Sequence, residues 1–416
     1  MRLVGDAYPR AEEAYCRNDV EVKFHVWVSR KISSCKALAC LMLLYRTKNI
    51  GVHLIHAVSS SPVRVDRSLL VDGLKALAAQ MVVIHHLVSY GPMAEAAGLA
   101  APGLAAWFGT YGRWAVQVFL VVAGFLTAQA FCGRPAVLSR PWSLVAKRYV
   151  RLVWPFGVAV TLAVIVAQAA RYWTQDPIVP GEPSFMQYAA HWLLIQGLLG
   201  HDSLSTGVWY VAIDFQLFVL TILLLWASRA LRWSGWAPLL IGVLTAASLI
   251  WIRTWQDWDN WAPYFYNAYG VGMLIGWLGL RDHAHQWVRI ALALVLGVLL
   301  WQWAMSLNGR LLIILATGAL LWIAGFPATQ RMGSWRNLRN RIGVCVHYLG
   351  ATSYALFLMH FPVSMLVNAA QDRFDWTTPR DGLLAMGVAW VLSMLVAALF
   401  YRYVERQALL LSRRVR

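Results

Sequence analysis

The stretch that decides the fold is Leu69-Leu70-Val71-Asp72-Gly73-Leu74-Lys75-Ala76-Leu77-Ala78-Ala79-Gln80-Met81-Val82-Val83-Ile84-His85-His86-Leu87-Val88-Ser89-Tyr90. A helix of this length rises about 33 Å at ~1.5 Å per residue, enough to cross a hydrocarbon core of ~30 Å. Comparable apolar stretches follow at 114–132, 152–170, 208–228, 237–253, 263–280, 287–304, 310–326, 348–369 and 383–404. Backbone buried in lipid must satisfy its own hydrogen bonds, and no β-barrel alternation is present, so these stretches predict an all-α, polytopic membrane helix bundle of about ten transmembrane helices.

Composition and charge agree. Hydrophobic residues make up 59% of the 416-residue chain and charged residues 13%, outside the usual soluble range. The net charge of +17 does not predict a nucleic-acid partner, because the basic residues sit on alternate connections: Arg134, Arg140, Lys147, Arg148 and Arg151; Arg229 and Arg232; Arg281 and Arg289; Arg331, Arg336, Arg339 and Arg341. The other connections carry Glu95, Asp176, Glu182, Asp202, Asp257, Asp259, Asp372, Asp375 and Asp381. The positive-inside rule then places both termini in the cytoplasm, N-in and C-in. Residues 1–64 are polar and hold only a short apolar run, Ala37 to Tyr45. They read as an N-terminal extension, disordered or upstream of the true start, or as a short cytoplasmic segment, with no signal peptide in evident order. Residues 65–406 form the membrane domain and 407–416 a basic cytoplasmic tail. No cysteine falls on an outer connection, which argues against a disulfide framework, and no metal-ligand spacing occurs.

Most connections are short. The exception, 171–207, is punctuated by Pro177, Pro180, Gly181 and Pro183 and holds an apolar piece, Met186 to Leu199, too short to cross. It reads as re-entrant or interfacial on the outer face. Trp192, Trp209, Tyr210, Trp255, Trp258, Trp261, Tyr264 and Tyr266 crowd the same face, either as an interfacial belt or as a platform for stacking sugar rings.

Polar groups inside spans mark functional positions, because lipid tolerates them only beside a partner or a cavity. Lys75 and His86 are eleven residues apart, close to three turns and ~16 Å of rise, so they share a helix face. Adjacent His85 points about 100° away, and the register with Lys75 selects His86. Arg148 and Arg151, three apart, read either as a phosphate clamp or as an ordinary basic flank. Asp214 and Gln216 lie just inside the fourth span. His360 lies deep in the ninth beside Pro362, and Tyr401 to Arg406 closes the last.

Over Asp66 to Arg406 the chain resembles the acyltransferase-3 family of bacterial membrane-bound O-acyltransferases. The resemblance rests on five features in order. They are the first-span basic-to-His pattern ending at His86; Gln117-Val118-Phe119-Leu120-Val121-Val122-Ala123-Gly124-Phe125-Leu126; Arg148 with Arg151; the Trp209-to-Gln216 segment containing Asp214; and Gly350 to His360 with the Glu405 ending. The resemblance implies transfer of an acyl group, commonly acetyl, from acyl-CoA as donor substrate to a hydroxyl of a cell-envelope or exported glycan, or of a lipid-linked saccharide. The enzyme would lie in the bacterial inner membrane. It implies His86 as base and Arg148 and Arg151 as coenzyme ligands, with Lys75 on the same track. Asp214 or His360 would orient the imidazole, and no metal is called for. The sequence departs from the family at Lys75, usually Arg, at Asp214, often Glu, and in its second imidazole at His85. The alternative reading is a permease or flippase for a sugar or lipid-linked intermediate, with the buried Lys and His as ligands or proton relay.

Overall fold

The computed structural model describes residues 62–132, 137–232, 234–255, 258–280, 285–323 and 336–415. The extension expected over 1–64 lies outside the described residues as far as residue 61. Helices run α1 Pro62–Ser89, α2 Pro92–Ala100, α3 Pro102–Tyr111, α4 Val116–Phe131, α5 Pro141–Ala170, α6 Phe185–Trp192, α7 Trp209–Ala230, α8 Ala237–Ile250, α9 Ala262–Leu278, α10 His285–Ser306, α11 Gly309–Ile323, α12 Arg336–Arg373, α13 Pro379–Phe400 and α14 Arg406–Arg414. No strand occurs among the described residues, and the protein is an all-α polytopic membrane bundle.

Eight helical stretches among the described residues are long and apolar enough to cross a membrane. The remaining two expected spans are α9 and α11, with 17 and 15 residues. At ~1.5 Å per residue these are about 25 and 22 Å long. For α9 the reason is its position: every residue from Phe265 to Trp277 is buried, so other helices surround it and bilayer thickness does not set its length. Its neighbour α4 packs on it at backbone range. A Cβ on Gly272 would run into the Val121 carbonyl, and one on Gly124 into the Tyr269 carbonyl. Small residues let membrane helices approach this closely, and dispersion plus Cα–H contacts hold them.

Helices α1 and α12 run in the same direction. Asp72 meets His347 near one end and His86 meets His360 near the other. A parallel first and ninth span is what regular alternation of ten crossings requires. Helix α5 is longer than expected: it has 30 residues and starts at Pro141 rather than near residue 152. Proline at N1 is preset for a helix start, so the basic flank is helical and carries Arg148 and Arg151 within α5.

The long connection folds back into the bundle. Tyr188 Oη shares a hydrogen bond of 2.6 Å with Thr161 Oγ1, the Tyr149 hydroxyl donates to the Trp192 carbonyl at 2.8 Å, and Gln216 Nε2 donates to the Leu194 carbonyl at 3.0 Å. Helix α6, capped by Ser184, therefore descends along α5 from residue 161 toward residue 149. Of the aromatic residues on this face, Tyr266 is fully buried while Trp261 is exposed. They are neither a uniform belt nor a uniform platform. At the other end, the π-helical turn Tyr401–Glu405 joins α13 to α14, so the basic tail is helical as far as Arg414.

Candidate active site

His86, near the end of α1, is buried at 7% exposure, and His360 on α12 is fully buried. His86 Nδ1 lies 2.7 Å from His360 Nε2, and the ring planes are within 8° of parallel. His360 Nδ1 lies 3.1 Å from the Leu356 carbonyl. A carbonyl only accepts, so His360 Nδ1 carries the proton and the neutral ring offers Nε2 as acceptor. His86 Nδ1 must then donate, which leaves His86 Nε2 with a free lone pair. The tautomers are thus assigned by the hydrogen-bond network. His85 turns elsewhere, with Nδ1 3.3 Å from the Phe108 carbonyl.

A loop residue closes over this pair. Gly207 adopts φ +92°, and a Cβ there would sit 3.2 Å from the Phe357 ring and 3.5 Å from His86 Cε1. Only glycine takes this backbone conformation without strain. Three residues on, Tyr210 packs against Phe357 and Phe119.

A charged track lies about one to two turns deeper. Arg148 Nη2 donates to Asp214 Oδ2 at 2.6 Å and stands 5.1 Å from the Phe218 ring centroid. Asp214 is therefore committed to Arg148 and is not hydrogen-bonded to His86. The two arginines expected as one clamp are differently placed, since Arg148 is held in this ion pair whereas Arg151 is exposed. Arg151 nevertheless has Arg148, Glu405 and Asp214 as charged neighbours. Glu405 lies within charge range of Arg151 and Lys75. Lys75 Nζ donates to Asp72 Oδ1 at 3.1 Å, and Asp72 Oδ2 also takes His347 Nδ1 at 2.6 Å. Arg148 Nε, Asp214 Oδ1 and Glu405 Oε2 are buried without a hydrogen-bond partner among the described residues. Buried polar atoms are usually paired, so these three mark capacity for a polar ligand. Among the described residues no group of three or more His, Cys, Asp or Glu is placed to share a metal ion.

Sequence reading alone missed Gly207 and the Asp72–His347 contact, named Tyr210 only among the aromatic residues of the outer face, and gave Glu405 no role. Tyr210 lies in the quoted Trp209-to-Gln216 segment and Gly207 two residues before it, but nothing in spacing shows that this segment touches α1.

Such a track, buried between spans of an all-helical bundle, marks a functional site inside the membrane. The chain belongs to the Acyl_transf_3 family: the family model, described as an acyltransferase domain, matches residues 69–402. No curated protein and no solved structure matches. The protein is therefore a multi-pass membrane acyltransferase. The matched range takes in His86, Arg148, Asp214 and His360 and stops short of Glu405.

Proposed function

We propose that this acyltransferase moves an acyl group, acetyl in the simplest case, from acyl-CoA to a hydroxyl of a cell-envelope or exported glycan or of a lipid-linked saccharide, in the bacterial cytoplasmic membrane. One observation carries the reading: the hydrogen-bond chain Leu356 carbonyl, His360, His86 leaves His86 Nε2 as a proton acceptor with its ring held in place. An alcohol is a weak nucleophile near neutral pH, and imidazole is the side chain whose ordinary pKa suits its activation.

His86 Nε2 takes the acceptor O–H proton as the oxygen attacks the thioester carbonyl carbon. The tetrahedral adduct collapses with cleavage of the C–S bond, and the departing sulfur recovers that proton from His86. Ester and free coenzyme thiol result, and the enzyme is unchanged. His360 serves as the orienter, because its Nε2 continues to accept from Nδ1–H when His86 is an imidazolium. Asp214 acts at one remove by fixing Arg148.

Arg151 and Lys75, with Arg148 behind them, supply positive charge for the coenzyme phosphates at the end of the bundle where the positive-inside rule puts the cytoplasm. From Lys75 to His86 the rise is ~16 Å, the length over which the pantetheine arm would extend. The test uses protein reconstituted in lipid with acetyl-CoA, reading thiol release, together with mass spectrometry of envelope glycans from cells with and without the gene. His86→Ala should lower acyl transfer by about 10²-fold or more. A normally expressed His86→Ala protein with wild-type activity would remove His86 as base. Transport of a saccharide without thiol release would favour the permease.

A further inference from the structure

A second polar cleft opens at the end of the bundle where His86 sits. It is open to solvent, has a cavity volume of about 30 Å³, and is lined by Gln117, Arg253, Tyr264, Phe265, Asn267 and Arg310 among others. The lining comes from the turn that follows α8 and from the N-terminal ends of α4, α9 and α11. By the charge rule this end is the outer one, where basic residues are scarce. Two arginines nevertheless share the cleft.

Neither arginine is neutralised by a described acid. Among the described residues the charged and titratable neighbours of Arg253 are Tyr264 and Arg310, and one Arg253 Nη atom is buried with no hydrogen-bond partner among them. Gln117 is buried at 8% exposure, and its Oε1 likewise has no partner. Like charges gathered in a part-buried cleft are unfavourable until an anion joins them, and guanidinium forks suit oxyanions. The unpartnered Gln117 oxygen adds an acceptor for a hydroxyl. An oxyanion carrying hydroxyl groups meets all three demands.

The cleft shares a wall with the acyl-transfer site. Phe265 packs on Trp209 with ring centroids 5.5 Å apart, and Trp209 follows Gly207, which lies against His86. Gln117 is followed two residues later by Phe119, which packs on Tyr210 and Phe357.

Resting on the acyl-transfer reading, we infer that Arg253, Arg310 and Gln117 bind an acidic group of the acceptor, so that the acceptor is an anionic saccharide whose neighbouring sugar is presented to His86. The acid is a carboxylate in an acidic sugar or a phosphate in a phosphorylated one. Both use the same oxyanion chemistry.

Full-length protein in detergent, titrated with glucuronate, inorganic phosphate and glucose, tests this through its tryptophan fluorescence, since Trp255 packs edge-to-face on Trp258 and Trp258 stacks on Trp261 in the segment between Arg253 and Tyr264. Saturable binding of glucuronate or phosphate but not glucose is expected. It should weaken at least tenfold in Arg253→Gln and Arg310→Gln, persist in the Arg→Lys variants, and be unchanged in His86→Ala. Preference between the two anions identifies the acid as carboxylate or phosphate. No saturable binding, or wild-type binding by Arg253→Gln/Arg310→Gln, overturns the inference. So does an effect seen only with phosphatidylglycerol nanodiscs, which would make the cleft a bilayer-lipid site. Because the readout is binding, these results leave the role of His86 in catalysis untouched, and a failed His86 test leaves the cleft standing.

Discussion

Replacing His360 by Leu separates orientation from proton transfer. Leucine fills much of the fully buried space but cannot accept from His86 Nδ1, which is now held at 2.7 Å. In the ground state this removes a hydrogen bond between neutral groups. In the transition state His86 is an imidazolium, and a hydrogen bond to a charged group contributes about 1.5–3 kcal/mol. Less the roughly 1 kcal/mol of the neutral bond lost from the ground state, about 0.5–2 kcal/mol remains, and at ~1.4 kcal/mol per tenfold the expected loss is about 2- to 30-fold in kcat. KM for the acyl donor should not change, because His360 bonds to His86 and the Leu356 carbonyl and to none of the proposed coenzyme ligands. The assay is initial rates of thiol release by reconstituted enzyme, with thermal unfolding confirming that the variant folds. A wild-type kcat in a folded His360→Leu protein would refute the orienting role. A raised KM with kcat intact would reassign His360 to substrate binding.

Asp214→Asn should destabilise the bundle by about 3 kcal/mol, because it leaves Arg148 without its counter-charge in a site mostly closed to solvent. Thermal unfolding in detergent would show it, and Arg148→Gln added to Asp214→Asn should restore part of the loss. Gly207→Ala forces a β-carbon into a left-handed conformation at about 1–2 kcal/mol and presses on Phe357, which packs beside the His86–His360 pair. It should lower kcat more than its small drop in unfolding temperature would suggest. His191, in the connection between the third and fourth spans, is buried with Nε2 accepting from the Leu204 amide, and burial lowers its pKa below the ordinary 6.5. The folded state thus binds fewer protons than the unfolded chain just below pH 6.5. The loop should be fully stable above that value and lose stability as pH falls toward the folded pKa, seen as faster proteolysis within 193–206 at pH 5 than at pH 7.5.

The spans were legible because lipid imposes length and apolarity on each one, and because arginine placement alternates. The start of α5 was not, since its first turns carry Trp142, Lys147 and Arg148 and fall outside an apolar window although Pro141 nucleates them. His86 and His360 were both identifiable as imidazoles too costly to leave in lipid, yet their contact joins residues 274 positions apart. Depth along one helix is readable from residue counting, whereas which neighbour faces it is a property of packing. Asp214 shows the difference. Counting placed it near the depth of His86. The re-entrant connection, held by Tyr149 and Gln216, instead delivers α7 against α5, so its carboxylate meets Arg148. The two arginines of the outer cleft gave no signal because each looked like a single residue at a span edge.

On the proposed mechanism, the pairing of α1 with α12 also governs when activity can begin. During synthesis the first span enters the membrane with its imidazole lacking the ring that will orient it, and that ring arrives only with the ninth crossing. A nascent or truncated chain that stops before residue 360 would carry every arginine of the proposed donor track and still lack the ring that orients the proposed base, so full activity waits until almost all of the polypeptide has been inserted.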